Sequence, residues 1–161
     1  MADVSDPAIA EDRGMDVHPL FYMDEQAYEN VRNDKKEETW ALFDYEDDKS
    51  DKLKLTETGT GDIAEFASKL VPTRASYGFV RVKYSNDEQS TREKFLLVVW
   101  VGENVKVMRR AKVSVHTGNV KSVIRAFAME LKVTSPDELK EDDVVNQLRR
   151  LGANYDRSKF N

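Results

Sequence analysis

No cysteine occurs in the 161 residues, which excludes a disulfide framework, thiolate catalysis and any zinc site built on sulfur. Histidine is nearly as scarce. His18 lies in the N-terminal stretch and His116 between two apolar stripes, and neither has neighbours at metal-ligand spacing. Ser114 precedes His116, but no Gly-x-Ser-x-Gly turn surrounds it. Long apolar runs are also missing. The run that opens at Phe95 stops at Gly102, well short of the roughly 20 residues that span a bilayer. The opening MADVSDPAIAEDRGMD carries acids and no apolar centre, so it does not read as a secretory signal. Carboxylates are plentiful, but they fall in turns and helix starts, where acids are favoured for structural reasons. These absences lead to the expectation of a soluble cytoplasmic protein with no metal and no cofactor; the carboxylates leave a catalytic pair open, and nothing selects one.

What is present suits one folded domain. Apolar residues make up 40%, enough for a core, and charged residues 34%, enough for a soluble surface. The net charge of -5 is unevenly spread. From Arg92 to Arg125 eight basic residues (Arg92, Lys94, Lys106, Arg109, Arg110, Lys112, Lys121 and Arg125) face two acids, Glu93 and Glu103. That stretch carries +6 and the remainder -11. A basic segment on an acidic chain fits a specific acidic partner or a solvated helix face, and charge alone does not separate the two. It does not fit general nucleic-acid binding, where the whole domain is basic. Tyr77, Phe79, Phe95 and Trp100 lie among apolar neighbours, which suits core packing better than base stacking.

Along the chain, residues 1–20 read as a flexible arm whose end docks through Phe21, Tyr22 and Met23. A helix over 24–35 carries Ala27, Tyr28 and Val31 on one face. The segment ETWALFDYE is a strand with two faces, Trp40 and Leu42 against Ala41, Phe43 and Tyr45. The acidic turn 47–51 leads into a strand over 52–57 with Leu53 and Leu55 on one face. TGTG at 58–61 lacks the spacing of a phosphate loop and reads as a strand-to-helix connector. Asp62 and Glu65 stand at capping-box spacing before a stripe of Ile63, Phe66, Ala67 and Leu70, closed by Pro72. Strands over 75–84 and 93–101, apolar on both faces, form the centre of the sheet around the loop 85–90. Two further stripes follow, Met108, Ala111 and Val115, then Val120, Val123, Ile124 and Phe127, with a break predicted at His116–Gly118. A half-exposed strand over 129–134 precedes a last helix opened by Ser135 and Pro136. That helix buries Val144, Val145, Leu148 and Leu151 and is capped by Gly152. The sum is an α+β, three-layer α/β/α domain: a mixed sheet of five to six strands between about four helices. One core absorbs every stripe, so the expected state is a monomer.

Taken together, WALFDY at 40–45, TGTGDIAEF at 58–66, YGFVRV at 77–82, Lys94–Glu103, RRAK at 109–112 with Ser114–His116, and GANY at 152–155 resemble the coactosin branch of the actin-depolymerising-factor homology (ADF-H, cofilin-like) domains. The resemblance implies a single ADF-H domain over 21–155, followed by a flexible tail at 156–161. It implies a binding protein and not an enzyme: binding along actin filaments in the cytoplasmic actin cytoskeleton, opposition to barbed-end capping, and little severing. The alternative within the family is a cofilin-like protein that binds monomeric actin and severs or depolymerises filaments; weak monomer binding is compatible with either. The family's filament-binding lysine at the start of the central strand falls on Lys94, and its basic helix start on Arg109, Arg110 and Lys112. With Arg92 and Lys121 from the same basic segment, these are the residues expected to meet actin, and Arg92, Lys94, Arg109 and Arg110, at strand and helix ends, can form a single patch.

Overall fold

A computed structural model describes residues 22–85 and 90–160. The expected arm at 1–20, Phe21, the hairpin tip at 86–89 and Asn161 lie outside the described residues. Six strands form one sheet in the order β1-β3-β2-β4-β5-β6. They are β1 (Tyr22–Met23), β2 (Trp40–Tyr45), β3 (Lys52–Gly59), β4 (Ala75–Ser85), β5 (Thr91–Val101) and β6 (Met129–Val133). The outer pairs β1–β3 and β5–β6 are parallel, and the inner pairs are antiparallel. The helices are α1 (Gln26–Arg32), α2 (Ile63–Ala67), α3 (Val107–Val123) and α4 (Glu141–Phe160), with a 3-10 turn at Pro136–Leu139.

Strand alternation sends side chains to two cores. Ala41, Phe43, Tyr77, Phe79, Leu97 and Val99 pack under α1 and α3 against Tyr28, Val31, Val113, Val120 and Ile124. Trp40, Leu42, Val80, Val82, Leu96, Val98 and Trp100 pack under α2 and α4 against Ile63, Phe66, Val144, Val145 and Leu148. The two-faced reading of the central strands and of β2 therefore holds, as do the α1 face and the Asp62 cap, which accepts from the Glu65 N–H at 3.2 Å. Arg81 closes α1: its Nη2 donates to the carbonyls of Val31 and, at 3.1 Å, Asn33, where a cation meets the negative end of the helix dipole.

Several local expectations need correction. Thr58 and Gly59 belong to β3, so the connector begins two residues later than predicted. Leu53 is buried in the same core cluster as Met23, whereas Leu55, beyond the end of the β1 pairing, stays exposed. The 3-10 turn takes the Ser135 cap, whose Oγ accepts from the Asp137 N–H, and α4 starts afresh at Glu141. Leu151 is exposed, and Gly152 lies inside α4 instead of ending it.

The largest correction concerns α3, which is unbroken through His116–Gly118. The hydroxyl of Thr117 bonds back to the Val113 carbonyl at 2.7 Å, and a lone glycine costs a helix only about 1 kcal/mol. The buried side of α3 is Val113, His116, Thr117 and Val120. Val115 follows Val113 by two residues, about 200° around the helix. Met108, Ala111 and Val115 therefore face solvent, and the premise that one core absorbs every apolar stripe fails.

Close backbone approach fixes the end of β5. Gly102 N–H donates to the Arg74 carbonyl at 3.0 Å and Asn104 N–H to the Pro72 carbonyl at 2.9 Å. A Cβ at Gly102 would stand 2.1 Å from the Pro72 oxygen, a backbone atom with no rotamer to yield. Gly102→Ala is expected to lower stability by about 1–3 kcal/mol, the cost of overpacking, read by urea titration. A midpoint equal to wild type would show that the 71–74 segment moves freely.

Candidate actin-binding surface

The exposed stripe of α3 is the strongest surface feature among the described residues. Val107, Met108 and Val115 are 81%, 77% and 66% exposed. With Ala111 and Ser114, also exposed, they fall along one side of the helix. Arg110 and Lys112 stand about 100° to either side of Ala111, so a basic rim borders an apolar strip. Single exposed apolar residues are ordinary, but a contiguous strip with a polar rim marks an interface.

Arg92 and Lys94 do not form one patch with Arg109 and Arg110. Lys94 and Arg92 are exposed near the start of β5, where they pair across the sheet with Val82 and Tyr84. By alternation they point to the α2 and α4 face. Helix α3 lies on the other face, and its first turn follows the far end of β5, about 20 Å from Lys94 at roughly 3.3 Å per residue. Arg149 of α4 joins the hairpin group. Its guanidinium lies 5.9 Å from the Tyr84 ring centre, and Nη2 donates to the Ser85 carbonyl at 2.6 Å. Lys121, near the end of α3, is paired with Glu130 of β6.

Arg109 is placed differently from the other five. Its side chain is only 12% exposed. Nη2 donates to the carbonyls of Asp47, Asp48 and Ser50 at 3.0, 2.9 and 3.0 Å, and the guanidinium stacks 3.8 Å from the Tyr45 ring centre. Nη1 lies 3.7 Å from Asp51, a buried carboxylate that also meets Lys112 Nζ at 3.2 Å and His116 Nε2 at 3.8 Å. Tyr45 Oη and His116 Nδ1 are hydrogen-bonded at 2.7 Å. Burial raises the Tyr45 and Tyr77 hydroxyls above the ordinary tyrosine range, and Arg109 opposes the shift at both. Both phenols are thus neutral at physiological pH and serve as hydrogen-bonding groups.

Sequence reasoning missed Val107, took Met108 and Val115 for core, and passed over Arg149, which lies beyond the counted basic segment. One signal was available. Arg109, Val113, His116 and Val120 fall at i, i+4, i+7 and i+11, so phasing α3 on that set places Arg109 inside and Met108 outside. Among the described residues, no group of three or more His, Asp or Glu could hold a metal ion. The surface offers an apolar strip with a basic rim on one face and a cationic hairpin on the other.

The sequence profile of the family described as cofilin/tropomyosin-type actin-binding protein matches residues 24–149. Coactosin of Dictyostelium discoideum is 36% identical over 135 residues, covering 83% of this chain and 90% of the relative. The coactosin-like protein of Homo sapiens is 34% identical over 131 residues, covering 81% and 89%. Among solved structures, coactosin from Entamoeba histolytica superposes with a TM-score of 0.76 at 28% identity, over 83% of this chain and 97% of that one. Mouse coactosin, described as an actin filament binding protein, gives a TM-score of 0.64 at 33% identity over 82% and 90%. With that profile spanning most of the chain and these relatives aligned along nearly their whole length, the chain belongs to the cofilin/tropomyosin-type actin-binding family and within it resembles the coactosins.

Proposed function

We propose that this protein binds along actin filaments, opposing barbed-end capping with little severing, as part of the actin cytoskeleton. The observation that carries the reading is the exposed strip Val107, Met108, Ala111 and Val115 with its rim of Arg110 and Lys112. An apolar strip left uncovered in a soluble domain calls for a partner, and the family supplies actin as that partner. Lys94, Arg92 and Arg149 form a second, cationic contact on the opposite face. A filament offers neighbouring subunits to the two surfaces.

Co-sedimentation with filaments beside native-gel shift on monomeric actin tests the reading. Pelleting without a monomer shift is expected; a monomer shift with loss of polymer mass would instead indicate the severing, monomer-binding mode. Lys94→Ala separates the second surface from the first. The residue is exposed, so stability should change by less than about 0.5 kcal/mol. A charge that meets a buried partner costs about 2 kcal/mol or more when removed, roughly 30-fold in Kd. Wild-type affinity should also fall as salt rises, since exposed charges are screened within about 8 Å at physiological ionic strength. A folded Lys94→Ala protein that pellets like wild type would leave the binding to α3 alone.

A further inference from the structure

We propose that Arg109 is a positioning residue for the α3 contact face and does not itself touch actin. The inference rests on the reading of α3 as the contact surface. Helix α3 begins without the usual devices. Its N-cap is Lys106, which makes no side-chain cap bond, and its first turn holds no acid. Arg109 and Arg110 near that end oppose the helix dipole. Val107 and Met108 pack on almost nothing, so they cannot hold the turn that displays them. Val105, buried just upstream, anchors the entrance.

Arg110 Nη2 reaches the Glu103 carbonyl at 3.4 Å and the half-exposed Lys112 reaches Asp51 at 3.2 Å, but the most heavily bonded hold is Arg109. One guanidinium nitrogen gathers three carbonyls of the β2–β3 turn, the plane lies on Tyr45, and the other terminal nitrogen faces Asp51. A fork of fixed geometry reaches all of these at once; an ammonium does not. Arg109 therefore ties the first turn of α3 to the β2–β3 turn and fixes where Val107 and Met108 stand. The buried cation acts on actin only through its exposed neighbours.

The test is a double-mutant cycle on filament affinity. Val107→Ala/Met108→Ala should weaken Kd about tenfold and Arg109→Met about fivefold, while Arg109→Met added to the double variant should cost less than about twofold, the non-additivity of coupled sites. Arg109→Lys, which keeps the charge but not the fork, should behave like Arg109→Met, and neither should change the salt dependence of binding. Amide exchange at 110–112, the first hydrogen-bonded amides of α3, should quicken in both. If Val107→Ala/Met108→Ala binds like wild type, the α3 reading itself fails. If that pair weakens binding but Arg109→Met is additive with it, or is rescued by lysine, or flattens the salt dependence, Arg109 touches the partner and the inference is overturned. Unchanged affinity in Arg109→Met overturns it as well. Should Arg109→Met not fold, the lysine variant carries the same cycle.

Discussion

Val107→Asp/Met108→Asp should abolish filament co-sedimentation while leaving thermal stability at or slightly above wild type. The two side chains are 81% and 77% exposed, so their removal deletes almost no packing. Exposed substitutions away from special sites stay within about 0.5 kcal/mol. Here the sign is favourable, because α3 has no acid in its first turn and an aspartate there meets the positive end of the helix dipole, worth about 0.3–1 kcal/mol. Binding responds in the opposite direction. An apolar anchor at the centre of an interface costs about 2 kcal/mol or more when lost, roughly 30-fold in Kd. Burying a carboxylate in its place adds a desolvation penalty. Loss of pelleting with an unchanged or raised melting temperature is the expected pair of results. Pelleting equal to wild type would move the contact off α3, leaving the cationic hairpin as the binding surface.

The sheet was legible in the sequence because each strand carries its own evidence. β4 and β5 are apolar on both faces, which only a strand covered on both sides tolerates, and the Trp40/Leu42 and Ala41/Phe43 alternation of β2 assigns its faces unaided. The phase of α3 was not legible in the same way. A helix with an apolar buried side and an apolar displayed side satisfies two stripe assignments, and periodicity has no term for which side the sheet lies on. Met108, Ala111 and Val115 made the stronger apolar set, while the inward side contains His116, Thr117 and Arg109. Local preference and tertiary placement disagree there because Arg109, His116 and Thr117 find polar partners beneath the helix while Met108, Ala111 and Val115 are left at the surface. Charge misled for a related reason. Arg92, Lys94, Arg109 and Arg110 are close along the chain, but β5 runs the length of the sheet between the two pairs. Arg149 is far away in sequence and touches the hairpin.

Asp51→Ala carries the largest stability loss expected at this site. The carboxylate is buried beside Arg109 Nη1 at 3.7 Å, Lys112 Nζ at 3.2 Å and His116 Nε2 at 3.8 Å. The three partners do not count equally. Lys112 is 45% exposed and can turn to water when its partner is lost, so its share is close to that of a surface pair, about 0–1 kcal/mol. Arg109 cannot follow it. Three carbonyls and the Tyr45 ring hold its guanidinium, and Nη1 is buried with no hydrogen bond to fall back on. Removing the carboxylate strands that nitrogen. Breaking a buried pair from one side costs about 3–5 kcal/mol, and the long 3.7 Å separation points to the lower end. A loss of about 3 kcal/mol lowers Tm by roughly 6–12 °C for a chain of this size. Asp51→Ala/Arg109→Met should lose less than the sum of the two single changes, because the second removes the stranded charge. Thermal denaturation of the four proteins measures the cycle. Additive losses would show that Arg109 is held by the turn carbonyls alone and that the carboxylate contributes nothing to its placement.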